Sequence, residues 1–519
     1  MGGGDERAAD AGPIDDRARA ETRMQIRGSG LLMVGRVTAL ATNFVTQVII
    51  VRYLSMAAYG AFAYGIALVA LIQVLLGLGL DRAVPRYLPL YEERRDHAAL
   101  FGTLTLVAGT IAALGFATIG IVYALQSWLA GSVVNDPTAV SVLLILIFLA
   151  PIESFDSYLT NVLAVFGATR AIFLRRYVVT PVLRLGVATL LVLGSLDVGF
   201  LAIGYVVTGV LGLALFGTLL PGILRRRRLL DRLPLRGMRF HVRELVGYGL
   251  PVLSTDLLIG LMLAFDAVLL TYSYGTEELA ALQAVEPAAR TNMLVMASFS
   301  LLFVPVATRF FARFQHDAVN DLYWQTTAWM AVLGFPIFAL TFGLAEPLTE
   351  FLYGERYRDS WTFLALLALG RYVDAAFGAN GLTLRVYGKV KELVSINVVA
   401  AILHVVVAML LIPPVGALGA AVAVAVTFIV YNVIKQLAIG RYTPVKPVNR
   451  RYAGVYVVIA GAALLFVAQW LMAPPLVVAV ATTALLALIV FAVGRRVLHI
   501  NEMFPELLRV PGARFLLGG

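Results

Sequence analysis

The chain has 519 residues, 60% of them hydrophobic and only 14% charged, with a mean hydropathy of +0.86. A soluble domain is about half apolar, so this composition excludes that class and leaves a polytopic membrane protein, with room for over a dozen spans of roughly 20 residues. The net charge of +10 reports arginine-rich loops, because no separate basic domain is available to bind nucleic acid; the lack of cysteine excludes disulfides and thiolate metal sites.

Residues 1–27 are polar, carry both charge signs and have no apolar run, so they read as a disordered cytoplasmic tail and not as a signal peptide. Apolar length then places spans at 31–54 and 61–80, the pair ending in a basic turn, DRAVPRYLPLYEERRD. Further spans fall at 99–125, 140–165, 177–196 and 198–222, then at 246–272, 279–306, 326–345, 361–384, 392–413, 415–438, 452–473 and 475–494. The fold class expected is all-α, with about fourteen transmembrane helices.

Basic residues alternate with these spans. One side holds Arg82, Arg86, Arg94 and Arg95, then Arg170, Arg175 and Arg176, and later Arg309, Arg313, Lys389, Lys391, Arg441, Arg450, Arg495 and Arg496. The connections on the other side, near 126–139, 273–278 and 473–475, hold no Lys or Arg. Both termini are therefore expected in the cytoplasm. Arg52, Arg356 and Arg358 are exceptions, the last two beside Glu355 and Asp359.

Between spans six and seven lies the most basic segment, 225–245. Arg228, Arg232, Arg236, Arg239 and Arg243 recur at helical spacing, so one face of a helix here can lie on an anionic leaflet. Pro234 and Gly237 oppose a continuous helix, and the other reading is a cytoplasmic loop that obeys the charge rule. Neutralising Arg228, Arg232 and Arg236 together separates the two: weakened function marks a lipid contact, unchanged function a topological anchor.

Sliding the chain on itself by about 220 residues aligns several short words in order. Val165-Phe166-Gly167 falls on Val386-Tyr387-Gly388, Val84-Pro85 on Val304-Pro305, Val198-Gly199 on Val415-Gly416, and Glu153 on Asp374. A shift of six helices preserves orientation, so two parallel repeats are expected around a central cavity. The organisation read from this is a tail (1–27), a six-helix bundle (28–224), the basic linker (225–245), a second six-helix bundle (246–440), two added helices (441–498) and a cytoplasmic tail (499–519).

A charge at a helix centre costs roughly 2.5–3.5 kcal/mol, so each one calls for a reason. Glu153, Asp156, Asp256, Glu286, Arg290, Arg371 and Asp374 lie deep in their spans; Arg36 and Arg184 lie about 10 Å from span ends at 1.5 Å per residue. Spacing allows intrahelical pairs Glu286–Arg290 and Arg371–Asp374, and Arg36 and Arg184 can snorkel to headgroups. Glu153, Asp156 and Asp256 have no partner by spacing and are candidates for H⁺ or Na⁺ coupling, as are Glu286 and Asp374 if unpaired. The chain has no P-loop and no long outer loop for catalysis, so an enzyme is not expected, and no cofactor beyond a coupling ion.

LSMAAYGAFAYGIAL (Leu54 to Leu68), FLYGERYRDS (Phe351 to Ser360) and VGALGAAVAVAV (Val415 to Val426) resemble the polysaccharide flippases of the multidrug/oligosaccharidyl-lipid/polysaccharide exporter superfamily, which includes the O-antigen-unit flippases. The resemblance spans most of residues 28–440. It implies alternating access by two bundles and, as cargo and partner, a polyprenyl-diphosphate-linked oligosaccharide among plasma membrane lipids. Other glycan-assembly proteins are implied partners, and nucleic acid is not. Similar flippases line the cavity with an Arg near the start of helix 1 and another in helix 8, positions occupied here by Arg36 and Arg290, with Arg371 as a third candidate. The alternatives are a drug/cation antiporter of the same superfamily, favoured where acids and not arginines face the cavity, a polytopic glycan ligase or polymerase, and an accessory scaffold.

Overall fold

The structure, a computed structural model, describes residues 35–133, 136–226 and 237–498. Thirteen helices are long and apolar enough to cross a membrane, and one further helix precedes them, among the described residues. The first, α1, covers 35–53. The others are α2 (Met56–Glu93), α3 (His97–Ala124), α4 (Pro137–Val165), α5 (Thr169–Leu193), α6 (Val198–Arg225), α7 (Val242–Tyr274), α8 (Thr276–Ala312), α9 (His316–Gly343), α10 (Glu355–Val386), α11 (Val390–Val415), α12 (Ala417–Tyr442), α13 (Arg450–Met472) and α14 (Leu476–Arg496). Every predicted span has its helix. The tail 1–27, the residues 499–519 and Arg228, Arg232 and Arg236 lie outside the described residues.

One expectation is corrected. The basic turn after the second span is mostly helix: α2 breaks at Gly79, where φ is +72°, and resumes from Leu80 to Glu93. Its amphipathic pattern keeps Leu80, Val84 and Leu88 buried while Arg82 and Arg86 stay exposed. Of the two readings of the basic linker, residues 237–241 fit the loop, since they have no regular structure. There the Arg239 N–H donates to the Ala98 carbonyl at 3.1 Å, tying the segment to the start of α3.

Two of the matched words end in the same kind of turn. Helices α4 and α10 end at Val165 and Val386, followed by Gly167 at φ +70° and Gly388 at φ +71°. Each closes with the same wide hydrogen bond, five residues back: Ala168 N–H to Leu163 O (2.9 Å) and Lys389 N–H to Leu384 O (2.8 Å). That geometry needs a left-handed residue, which glycine supplies without strain. Helices α2 and α8 are also both broken, the latter by a tight turn at Thr291–Met293.

The bundles meet at both ends. At the arginine-rich end, α2 touches α7 through Gly79 and Gly249, where a Cβ on either would come within 2.4 Å of the other's carbonyl oxygen. Arg82 Nη2 there reaches Asp256 Oδ2 at 2.7 Å, and the Arg86 guanidinium lies 4.5 Å from the Tyr248 ring centroid. At the opposite end, the Tyr59 hydroxyl donates to the Gln283 carbonyl at 3.2 Å, Thr276 Oγ1 donates to Asp136 Oδ2 at 2.8 Å, and Arg52 Nε donates to the Leu352 carbonyl at 2.8 Å. Arg356 returns a bond to the Arg52 carbonyl at 2.7 Å, and Arg358 pairs with Glu346 at 2.8 Å. Two of the three arginines that break the charge alternation, Arg52 and Arg356, thus clamp the bundles together at this end, while Arg358 braces the second bundle alone.

Gly60 is the tightest point of that seal, since a Cβ there would lie 1.8 Å from the Thr276 carbonyl oxygen. Gly60→Val is expected to force α2 and α8 apart at this end. Because the chain has no cysteine, a single Gln283→Cys reports the change directly: labelling by a water-soluble maleimide should rise several-fold, and an unchanged rate would show that the seal lies elsewhere.

Candidate functional site

The deepest charge cluster joins α8 to α10. Glu286 lies roughly ten residues into α8, about 15 Å from its start at 1.5 Å per residue, so it stands near mid-membrane. Its carboxylate accepts from Arg290 Nε at 2.6 Å and from Arg371 Nη2 at 2.7 Å. The Glu286–Arg290 pair expected from spacing is present; the Arg371–Asp374 pair is not. Residues three apart on α10 point to different neighbours here, so Arg371 turns to α8 while its guanidinium lies 4.8 Å from the Phe428 ring centroid of α12.

The two arginines differ in exposure. The Arg290 side chain is 50% exposed, against 7% for Glu286 and 6% for Arg371. Arg371 therefore neutralises Glu286 from the covered side, and Arg290 leaves one surplus positive charge at an open surface. The break in α8 at Thr291–Met293 follows Arg290 directly, so the cation sits at the negative end of a half-helix. Arg36, exposed near the start of α1, makes no ion pair among the described residues.

The acids read as unpaired all have cations, none of them within i+4 on the same helix. Glu153 accepts from Arg184 at 2.6 Å, and Arg184 stacks 4.9 Å from the Tyr205 ring centroid instead of snorkelling to headgroups. Asp156 pairs with Arg175 at 2.8 Å, both buried. Arg175 was assigned to a loop, but the first turns of α5 are wound as a wide helix over Phe173–Val179, which carries it inward. Gly212 makes the space, since a Cβ there would lie 2.4 Å from Arg175 Nε. Gly212→Val is thus expected to lower stability by about 3–5 kcal/mol, the cost of breaking a buried pair, measurable as a loss of melting temperature in detergent. An unchanged melt would mean that Arg175 relaxes elsewhere.

Asp256 pairs across the bundles with Arg82, and Asp374 with Lys435 at 3.4 Å while also accepting from Asn432 Nδ2 at 3.0 Å. Sequence reading missed Lys435, Asp266 and His404 as buried groups. His404 Nε2 lies 2.9 Å from Asp266 Oδ1, and its Nδ1 lies 3.3 Å from Thr427 Oγ1. A lone Asp or Lys inside an apolar span was the available signal; the pairing of α7 with α11 that joins Asp266 to His404 was not. Among the described residues, no group of three or more His, Asp or Glu could hold a metal ion.

The arrangement gives acids that are each covered by a cation, and arginines that reach open surface. It suits an anion better than a cation.

The chain matches the family described as polysaccharide biosynthesis protein over residues 49–362. No curated protein matches it in sequence. Among solved structures it is similar to the lipid II flippase MurJ in an inward closed conformation, at 14% identity and TM-score 0.65, covering 91% of this chain and 99% of that one. It is similar to an inward-facing multidrug resistance MATE family transporter of the MOP superfamily, at 15% identity and TM-score 0.60, covering 78% and 95%. A mutant of the Vibrio cholerae MATE transporter VcmN is similar at 18% identity and TM-score 0.56, covering 81% and 97%. At these identities the likeness establishes the shared fold.

Proposed function

The chain belongs to the polysaccharide biosynthesis protein family, and from that premise we propose that it flips a polyprenyl-diphosphate-linked oligosaccharide from the inner to the outer leaflet of the plasma membrane, for cell-surface polysaccharide assembly. The observation that carries this reading is the exposure of Arg290 beside the covered Glu286. An exposed guanidinium with a compensated acid behind it takes a diphosphate; a cation exporter needs the reverse.

A diphosphate carries roughly two negative charges, so an inside-negative potential favours outward movement by about 5 kcal/mol per 100 mV. The barrier lies in dehydrating the phosphates. Arg290 and Arg36 replace that hydration in the cavity, with Arg371 fixing Glu286 behind them, while the polyprenyl tail stays in lipid. The arginine-rich end faces the cytoplasm, and the bundles part there to admit cargo.

A coupling cation at Glu153, Asp156, Asp256, Glu286 or Asp374 has to take the place of an arginine or lysine. Asp256 is the acid freed by the cycle itself, because its partner Arg82 belongs to the other bundle.

Leaflet accessibility of lipid-linked glycans in cells depleted of this protein tests the reading. Intermediates trapped on the cytoplasmic side support it. Normal display together with sensitivity to cationic drugs would instead favour the antiporter.

A further inference from the structure

One pocket of the second bundle, beside the Asp374–Lys435 pair, has no part in the cargo path proposed above. It has a volume of about 180 Å³ and lies between α7, α8, α10, α11 and α12, with Thr255, Asp374, Arg385, Tyr431 and Lys435 among its walls. Phe428 also lines it, and the other side of that contact is Arg371, so the pocket adjoins the Glu286 cluster on the side toward the arginine-rich end.

The charges in it are unequal. Lys435 is buried, 3.8 Å from the Tyr431 ring centroid, and its bond to Asp374 is long at 3.4 Å. Asn432 supplies a second and shorter donor to the same carboxylate oxygen, so Asp374 is compensated without the full engagement of the ammonium. A lysine has three donors, and one is used in this way. Arg385 is exposed and bonds to Thr255 Oγ1 at 3.2 Å, with no carboxylate partner among the described residues. Two cations thus face one acid that is already satisfied. Gly378 and Gly381 contribute no side chain, which keeps the space open.

Resting on the flippase reading, we propose that this pocket is a second anion subsite, holding a carboxylate or phosphate group of the cargo by the Arg385 guanidinium with Lys435 behind it. Its size suits one phosphate or one acidic sugar residue and excludes a whole oligosaccharide. The anion has two sources, the diphosphate itself and an acidic sugar such as a uronate.

Binding of three probes to the full chain in lipid nanodiscs distinguishes them: polyprenyl diphosphate, the same lipid carrying a neutral disaccharide, and the same lipid carrying a uronate-containing disaccharide. In the wild type the uronate probe is expected to bind about tenfold more tightly than the neutral one, the scale of one charge-assisted hydrogen bond, and Arg385→Gln to erase that difference. An equal loss for all three probes in Arg385→Gln also supports the subsite and assigns it to the diphosphate. The double variant Lys435→Gln with Asp374→Asn removes both charges without stranding either, so a folding defect does not mask the result. Unchanged binding of all probes in both variants, with binding still weakened in Arg290→Gln, overturns the subsite and leaves the proposed function standing. Failure of the wild type to bind any probe overturns both.

Discussion

Arg290→Ala is expected to reduce export of lipid-linked glycans by about 10- to 100-fold, the equivalent of one charge-assisted hydrogen bond, without loss of the fold. The side chain is half exposed, and removing it still leaves Glu286 held by Arg371 at 2.7 Å. Stability therefore changes little while the surplus positive charge at the open surface is gone. Arg290→Lys should recover part of the activity, because the charge returns but not the planar fork that grips two phosphate oxygens. Export is read from glycan display at the cell surface, and folding from the melting temperature of the purified variant. A melt that collapses with Arg290→Ala would mean that the residue holds α8 together and says nothing of cargo.

Arg371→Ala is expected to do the opposite first. Its guanidinium is covered by Glu286 and Phe428, and breaking a buried pair typically costs about 3–5 kcal/mol. A large fraction of the protein's marginal stability is lost at that scale, so folded yield and melting temperature should both fall sharply. Replacing both partners, Glu286→Gln with Arg371→Gln, should restore much of the melt, since no lone charge is then buried. Should Arg371→Ala melt normally and yet fail to export, Arg371 would belong with Arg290 as a cargo contact and not as its support.

The contrast between these arginines shows where sequence reading stops. Span positions were legible because apolar length is a one-dimensional signal, and all fourteen helices followed from it. The matched words at Val165 and Val386 were legible too, and each precedes a helix-closing turn with a left-handed glycine, Gly167 and Gly388. Pairing of charges was not. Spacing along one helix found Glu286–Arg290, but Glu153–Arg184, Asp156–Arg175 and Arg371–Glu286 each join two helices, and no local pattern says which faces meet. Asp156 read as an unpaired acid because Arg175 was counted in a loop, and a wide-wound first turn of α5 moved it into the membrane. Similarly, Asp256 needed a partner from the other bundle, Arg82, on a stretch read as a turn.

In the function proposed, exposed arginines, and not acids, carry the cargo across. Reconstitution of the purified chain into liposomes tests it most directly, with a fluorescent polyprenyl-diphosphate disaccharide and a cationic dye offered in parallel under an imposed potential. The lipid-linked sugar is expected to move between leaflets, Arg290→Ala and Arg36→Ala to slow it by at least about tenfold, and the dye not to be carried. Transport of the dye that survives Arg290→Ala and is lost in Asp256→Asn, with the lipid-linked sugar left in place, would contradict the proposed function.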